Sequence, residues 1–283
     1  MHTYCLINGE FKKTTEPVIK VNDLGLLRGY GVFDFLPVQQ SQPVFFNDYW
    51  NRFRNSALKM RLTFEWDRDS FLNQLHELIR KNDFTGGYCR LLLTGGYSSN
   101  GFLPDGPSNF MVTTQGPIHY PEKNFNQGIK LITLEYAREY PQIKSINYMT
   151  LLLERDRLRD EMAEDVLYLS ENNVTESSRS NFFIIDSDGV LVTPMHHILP
   201  GITRSKVLDL ASEFMEVRVG DLAISHIPEA QSAFITSTTK GIMPVTRVDE
   251  TLINDGRIAP IITRLRDALD EKIKQYLKDT IEK

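Results

Sequence analysis

The chain has 283 residues, 41% of them hydrophobic and 24% charged, with a formal net charge of −5. That length supports a sizeable core and two domains, and the mild acidity argues against the basic footprint of a dedicated nucleic-acid binder. Cys5 and Cys89 give neither a disulfide framework nor metal-ligand spacing, and no run nears the ~18 apolar residues of a membrane span. With no basic stretch and long apolar run at the start, the expectation is a cytoplasmic protein without a metal, a nucleic-acid partner or a membrane partner.

Tyr4 to Ile7 reads as a strand entering a tight turn at Asn8-Gly9, with a second short strand at Val18 to Val21. The glycine-punctuated loop Asn22 to Gly31 carries apolar residues that suit contact with a partner subunit. Val32 to Val38 and Pro43 to Phe46 form a hairpin around Gln40-Ser41-Gln42. Asn47 suits the N-cap of a helix that buries Trp50, Phe53, Ala57 and Met60, with Arg52 off that stripe, meeting either solvent or an anion. Asp67 to Lys81 is a second helix, closed by Gly86-Gly87. In the strand Tyr88 to Thr94, alternation sets Arg90 inside an apolar run, where a buried guanidinium needs a carboxylate or a ligand anion. After a long loop and the strand Asn109 to Thr114, the polar, turn-rich stretch from Gly116-Pro117 to Asn124 is the best linker.

Lys130 to Tyr140 is extended and charged, and Lys144 follows Pro141 at the mouth of a helix whose apolar face is Tyr148, Leu151, Leu152, Leu158 and Met162. Asp165 to Ser170, Phe182 to Ile185 and Val190 to Thr193 are strands, with turns at Glu171-Asn172-Asn173 and Ser187-Asp188-Gly189. Gly201 precedes the amphipathic helix Ser205 to Phe214, and amides at such a helix start, without internal acceptors, can bind an anion. Thr236 to Gly241 is hydroxyl-rich and follows an apolar strand; it is either a polar turn or phosphate-cradle material. A last helix, Ile261 to Leu277, buries one face.

Taken alone, Lys144 reads as a solvated cation. Set beside two phosphate-friendly termini, Arg52 and the glutamate of Thr175-Glu176-Ser177, it completes the inventory of a pyridoxal-phosphate site. There a lysine amine captures a carbonyl, a carboxylate holds a ring nitrogen protonated, and cations with amides hold a phosphate.

The stretches Ile143-Lys144-Ser145-Ile146-Asn147, Val174-Thr175-Glu176, Leu199 to Arg204 and Thr236-Ser237-Thr238-Thr239, in this order, resemble the class IV aminotransferase family of fold-type IV pyridoxal-phosphate enzymes. Its members include branched-chain aminotransferases, D-amino acid transaminases and aminodeoxychorismate lyases. The resemblance implies an α/β (α+β) fold, with a small α/β domain over 1–116, a linker over 117–125 and a larger pseudo-barrel domain over 126–283 carrying the lysine. It also implies a homodimer whose loop near Arg28 reaches the neighbouring active site. Position by position, Lys144 would bond the cofactor covalently, Glu176 would pair with its pyridine nitrogen, and Tyr148 would reach its phenolic oxygen. Arg52, Ile202, Thr203, Ser237 and Thr238 would bind its phosphate.

The last motif resembles the D-amino acid transaminases more than the branched-chain enzymes, but the loop Thr94 to Gly101 lacks the Arg-x-His pair with which D-type members usually hold a substrate carboxylate. Arg28, Arg90 and Arg179 resemble instead the arginine set of a non-canonical D-amino acid transaminase, and guanidinium groups suit bidentate carboxylate recognition. They either take that role or neutralise local acids such as Asp34. The expected activity is transfer of an amino group from D-alanine or D-glutamate to a 2-oxo acid such as 2-oxoglutarate. An L-branched-chain aminotransferase comes second and an aminodeoxychorismate lyase third. A non-catalytic ligand-binding relative is disfavoured, because binding alone needs neither Lys144 nor Glu176.

Overall fold

Asn8 and Gly9 both take positive φ, and this turns β1 (Tyr4–Ile7) directly into β2 (Glu10–Lys13). The computed structural model describes residues 2–282, and the Val18 to Val21 segment forms no strand, since β2 already closes this hairpin. Asp23 caps a short helix, α1 (Leu24–Arg28), inside what the sequence presents as a loop. β3 (Gly31–Gln39) then turns through Gln40 and Ser41, again at positive φ, into β4 (Gln42–Pro43). Helix α2 (Phe46–Lys59) starts earlier than expected, from Phe45 in a left-handed conformation. Asn47 is therefore not its cap, and the Asn47 Oδ1 accepts instead from Arg68 Nε at 2.8 Å. Helix α3 (Arg68–Lys81) is capped by Asp67 and ends at Asn82, so Gly86 and Gly87 open β5 (Gly86–Thr94) rather than closing the helix. With β6 (Asn109–Gln115), these strands form a six-stranded antiparallel sheet in the order β2-β1-β6-β5-β3-β4. Phe53, Phe71, Phe110 and Leu75 are fully buried in this half of the chain.

The other half begins with α4 (Glu122–Asn126) and β7 (Ile129–Glu135). The helix expected directly after Lys144 starts only at Met149, in two short pieces, α5 (Met149–Leu153) and α6 (Arg155–Asp160), and neither buries a residue. Leu152 and Met162 are 65% and 88% exposed, so the proposed apolar face is open, and only Leu151 and Leu158 pack partly against Ile132, Val166 and Tyr168. β8 (Asp165–Ser170), β9 (Asn173–Ser177), β10 (Asn181–Ile185) and β11 (Leu191–Pro194) follow, linked by tight turns. Helix α7 (Ile202–Ala211) leads to β12 (Val217–Gly220), then β13 (Ser232–Ser237), β14 (Gly241–Val248) and the short β15 (Thr251–Leu252). Pairing runs β10-β13-β14-β7-β8-β9, and β9 pairs back to β10 through Glu176 and Asn181. Six strands thus close into a ring, with β11, β12 and β15 added outside it. Leu131, Leu167, Phe182, Ile184, Ile235 and Met243 fill its core. The chain ends in α8 (Pro260–Ile281), which buries Ile262, Leu265, Leu269 and Leu277. The mixed α+β architecture expected from the sequence is therefore present, and among the described residues no helix is long and apolar enough to cross a membrane.

Contacts divide the chain into two units. One holds the chain up to Ile118, the segment Ile143–Asn147 and the residues from Ile273 onward; the other holds His119–Gln142 and Tyr148–Lys272. The sequence reading set Lys144 and the C-terminal residues in the second domain. Both belong by their packing to the first. For Lys144 the reason is backbone pairing to β3, and for the C-terminal helix it includes Tyr276, whose hydroxyl accepts from the Phe46 amide at 3.2 Å.

Candidate active site

In the first unit, Lys144 sits on an extended strip laid beside β3 rather than at a helix mouth. The Phe33 amide donates to the Lys144 carbonyl at 2.9 Å and the Ile146 amide to the Gly31 carbonyl at 3.1 Å, around a bridge between Val32 and Ser145. From α2, the buried Ser56 hydroxyl accepts from the Lys144 amide at 3.2 Å. The strip can lie this close because residue 31 is glycine: a Cβ there would come 2.8 Å from the Leu93 carbonyl and 3.2 Å from Ile146 Cδ1. The Lys144 Nζ lies 4.8 Å from the centre of the Phe33 ring, a cation–π distance.

Arg52 lies one helical turn before Ser56, so both project from one face of α2. Its guanidinium donates to both Asp34 oxygens, Nη2 to Oδ1 at 2.6 Å and Nε to Oδ2 at 2.9 Å. Asp34 is fully buried and the Arg52 side chain is 9% exposed. The choice between solvent and an anion is thus answered inside the protein by a forked, charge-assisted pair.

In the second unit, Glu176 lies on β9 at 4% exposure, with both oxygens engaged. Arg138 Nε donates to Oε1 at 2.9 Å, while the Leu199 amide and Asn181 Nδ2 donate to Oε2 at 2.8 and 3.4 Å. Arg138 also donates to the Ser178 carbonyl, and its guanidinium stands 5.4 Å from the Tyr148 ring centre and 5.7 Å from that of Tyr168. Burial works against the charge on Arg138, yet Glu176, Tyr148 and Tyr168 outweigh it and raise its pKa above the usual arginine value. Sequence reasoning missed Arg138. Its only signal was indirect: a glutamate inside a strand pattern requires a cation, and Arg138 lies in the charged segment just downstream of β7.

Glu176 also connects to the start of α7. Asn181 Nδ2 donates to the Leu199 carbonyl at 2.8 Å, and a Cβ on Gly201 would fall 2.0 Å from Asn181 Oδ1, so only glycine lets the backbone pass. Gly201 is the N-cap and supplies no side-chain acceptor, leaving the amides of Ile202 and Thr203 without intrahelical partners. This helix packs on β13, whose Thr236 pairs with Asn181. Thr236 is 1% exposed, and its hydroxyl has no hydrogen-bond partner among the described residues. In the turn that follows, the Ser237 hydroxyl accepts from the Lys240 amide at 3.3 Å and Thr238 lies beside it. An unpaired buried hydroxyl, helix-end amides and a glycine-only passage form a donor set suited to a phosphate.

The three remaining arginines have separate local contacts, and Asp34, the acid the sequence suggests for them, is held by Arg52 instead. Arg28 ends α1, exposed, with its guanidinium 4.6 Å from the Phe102 ring centre. Arg90 is exposed too, because that face of β5 is uncovered, so the expected burial conflict does not arise. It donates to Gln115 Oε1 at 3.3 Å and stands 5.3 Å from the Phe35 ring centre. Arg179 is the one of the three with an acidic neighbour among the described residues, Asp165, at 3.9 Å.

The model of amino-transferase class IV matches residues 31–248. A D-alanine aminotransferase of Listeria innocua is 30% identical over 276 residues, covering 95% of each chain. The branched-chain amino acid aminotransferase of Escherichia coli superposes with a TM-score of 0.89 at 26% identity, covering 96% of this chain and 95% of that one. A 4-amino-4-deoxychorismate lyase of Pseudomonas aeruginosa, at 21% identity and a TM-score of 0.80 over 94% of this chain and 98% of its own, shares the fold. The chain belongs to the class IV amino-transferases, pyridoxal-phosphate-dependent enzymes of fold type IV. The donor set around Thr236 and the held carboxylate of Glu176 fit that cofactor.

Proposed function

We propose that this aminotransferase acts on D-amino acids, passing the amino group of D-alanine or D-glutamate to a 2-oxo acid such as 2-oxoglutarate in two half-reactions. The observation that carries the reading is the full-length similarity to D-alanine aminotransferases, 30% identity over 95% of both chains. The bound cofactor supplies an electrophilic carbon and an electron-withdrawing ring. Lys144 would hold it through Nζ, and the same amine would carry the proton taken from the substrate α-carbon. Glu176, which accepts from Arg138 and the Leu199 amide, would pair with the ring nitrogen. Arg52, Ile202, Thr203, Ser237 and Thr238 would hold the phosphate, and Tyr148 would reach the phenolic oxygen. Arg90 and Arg179 take the substrate α-carboxylate.

Arg28 assists from a second subunit in this reading. Around it Leu26, Leu27, Phe102 and Leu103 are 71%, 40%, 71% and 67% exposed, an apolar patch that a second copy would cover. We place the enzyme in the cytoplasm, in keeping with its two unpaired cysteines. Mixing the holoenzyme with D-alanine or with L-leucine tests the substrate: D-alanine should bleach the cofactor absorbance within the first half-reaction. Bleaching by L-leucine alone would favour the second reading, a branched-chain aminotransferase, for which the resemblance of Tyr148 to the tyrosine of those enzymes speaks. Release of pyruvate from aminodeoxychorismate would instead point to a lyase.

A further inference from the structure

Asp165 opens β8 with no exposure at all, and its carboxylate serves two turns at once. Oδ1 accepts from the Val166 amide at 2.9 Å and from the Ser178 hydroxyl. Oδ2 accepts from the Ser177 hydroxyl at 3.4 Å and faces two cations, Lys240 Nζ at 3.7 Å and Arg179 Nε at 3.9 Å.

These cations differ in freedom. The Lys240 side chain is 1% exposed, with its ammonium 3.5 Å from Ser180 Oγ and 5.7 Å from the Tyr120 ring centre, so it has no route to solvent. The Arg179 side chain is 46% exposed and can turn outward. Burial presses the Lys240 pKa down and the nearby Arg179 charge adds to this, while Asp165 pulls it back up. A further acid acting on this lysine, Glu164, accepts from Asn124 Nδ2 at 3.3 Å. Asp165 thus stands between a buried cation that cannot leave it and an exposed one that can.

We propose that Lys240 is a specificity-determining positioning residue: by neutralising Asp165 from the inside, it leaves the Arg179 guanidinium available to the α-carboxylate of the substrate. Without Lys240, the buried Asp165 would claim Arg179 as its own partner, since an uncompensated buried charge recruits any cation in reach. The inference rests on the reading of Arg179 as a carboxylate ligand.

The test compares holoenzyme variants for KM and kcat with D-alanine, and for affinity toward propionate, an unreactive carboxylate followed through the cofactor absorbance. Lys240→Met should weaken propionate and raise KM about tenfold, with kcat changed less than about threefold. Asp165→Asn/Lys240→Met, which removes both buried charges, should restore KM to within about threefold of the parent. Asp165→Asn alone should hold or tighten propionate binding, and serves if Lys240→Met does not fold. A double variant as weak as Lys240→Met, or Asp165→Asn as weak as Arg179→Ala, would overturn the proposal, because Lys240 would then act through packing. Loss of affinity in Arg179→Ala without loss in Lys240→Met overturns this inference alone. Unchanged affinity in Arg179→Ala overturns the carboxylate reading and the inference together.

Discussion

Two buried arginine–carboxylate pairs divide their labour in opposite ways. In the first unit Asp34 gives both oxygens to Arg52 and Oδ1 also to the Phe35 amide at 2.7 Å, so the acid is saturated by a guanidinium whose donors outnumber its oxygens. In the second unit Glu176 receives one contact from Arg138, while a backbone amide and an asparagine engage the other oxygen. The Arg138 fork is completed by the Ser178 carbonyl, so that guanidinium is shared between two acceptors. In one pair the acid is saturated by its arginine; in the other the arginine is shared and other donors complete the acid.

That contrast can be broken experimentally. The largest effect lies outside both pairs: Lys144→Ala should lower turnover at least about 10³-fold and leave the cofactor bound noncovalently, seen as loss of the shifted absorbance of the lysine-bound form. Glu176→Gln keeps the shape but not the charge, and should cost about 10²-fold in kcat with little change in cofactor affinity. A Glu176→Gln enzyme with unaltered kcat would mean that the carboxylate is merely structural. Asp34→Asn should act the other way, weakening cofactor affinity by about tenfold to a hundredfold in equilibrium dialysis while kcat at saturation changes little. Arg138→Met should fall between them, about tenfold in kcat, and should destabilise the apo protein by about 3 kcal/mol in denaturant melts because Glu176 loses its cation. The smallest expected change is in Ser56→Ala, about 1 kcal/mol of stability and a severalfold drop in kcat, with Ser56→Thr closer to the parent.

Much of this was legible in sequence, and the failures share a cause. β8 was placed at its observed bounds beside the turn Glu171-Asn172-Asn173, whereas α7, expected over Ser205 to Phe214, begins three residues earlier at Ile202. What one sequence does not encode locally is which faces find cover. Arg90 sits among apolar neighbours, yet its side of β5 is open; Leu152 and Met162 repeat at helical spacing, yet stay exposed in this chain. Arg138 failed for the converse reason. It lies in a charged, irregular stretch with no periodicity, and becomes central only because pairing of β9 with β10 and the course of the chain after β7 bring Glu176 within its reach. Asn47 was a sound cap by composition, but the left-handed turn at Phe45 starts the helix before it.

The contact between Tyr276 and the start of α2 has a bearing on how the protein is made. The Phe45 ring tilts against Tyr276 at 4.8 Å, and the Phe46 amide finds its acceptor in the same phenol. Synthesis proceeds from the N-terminus, so the helix that carries Arg52 waits through some 230 residues of translation for this partner. Until Tyr276 emerges from the ribosome, the nascent first unit holds an unfinished seam at the root of that helix.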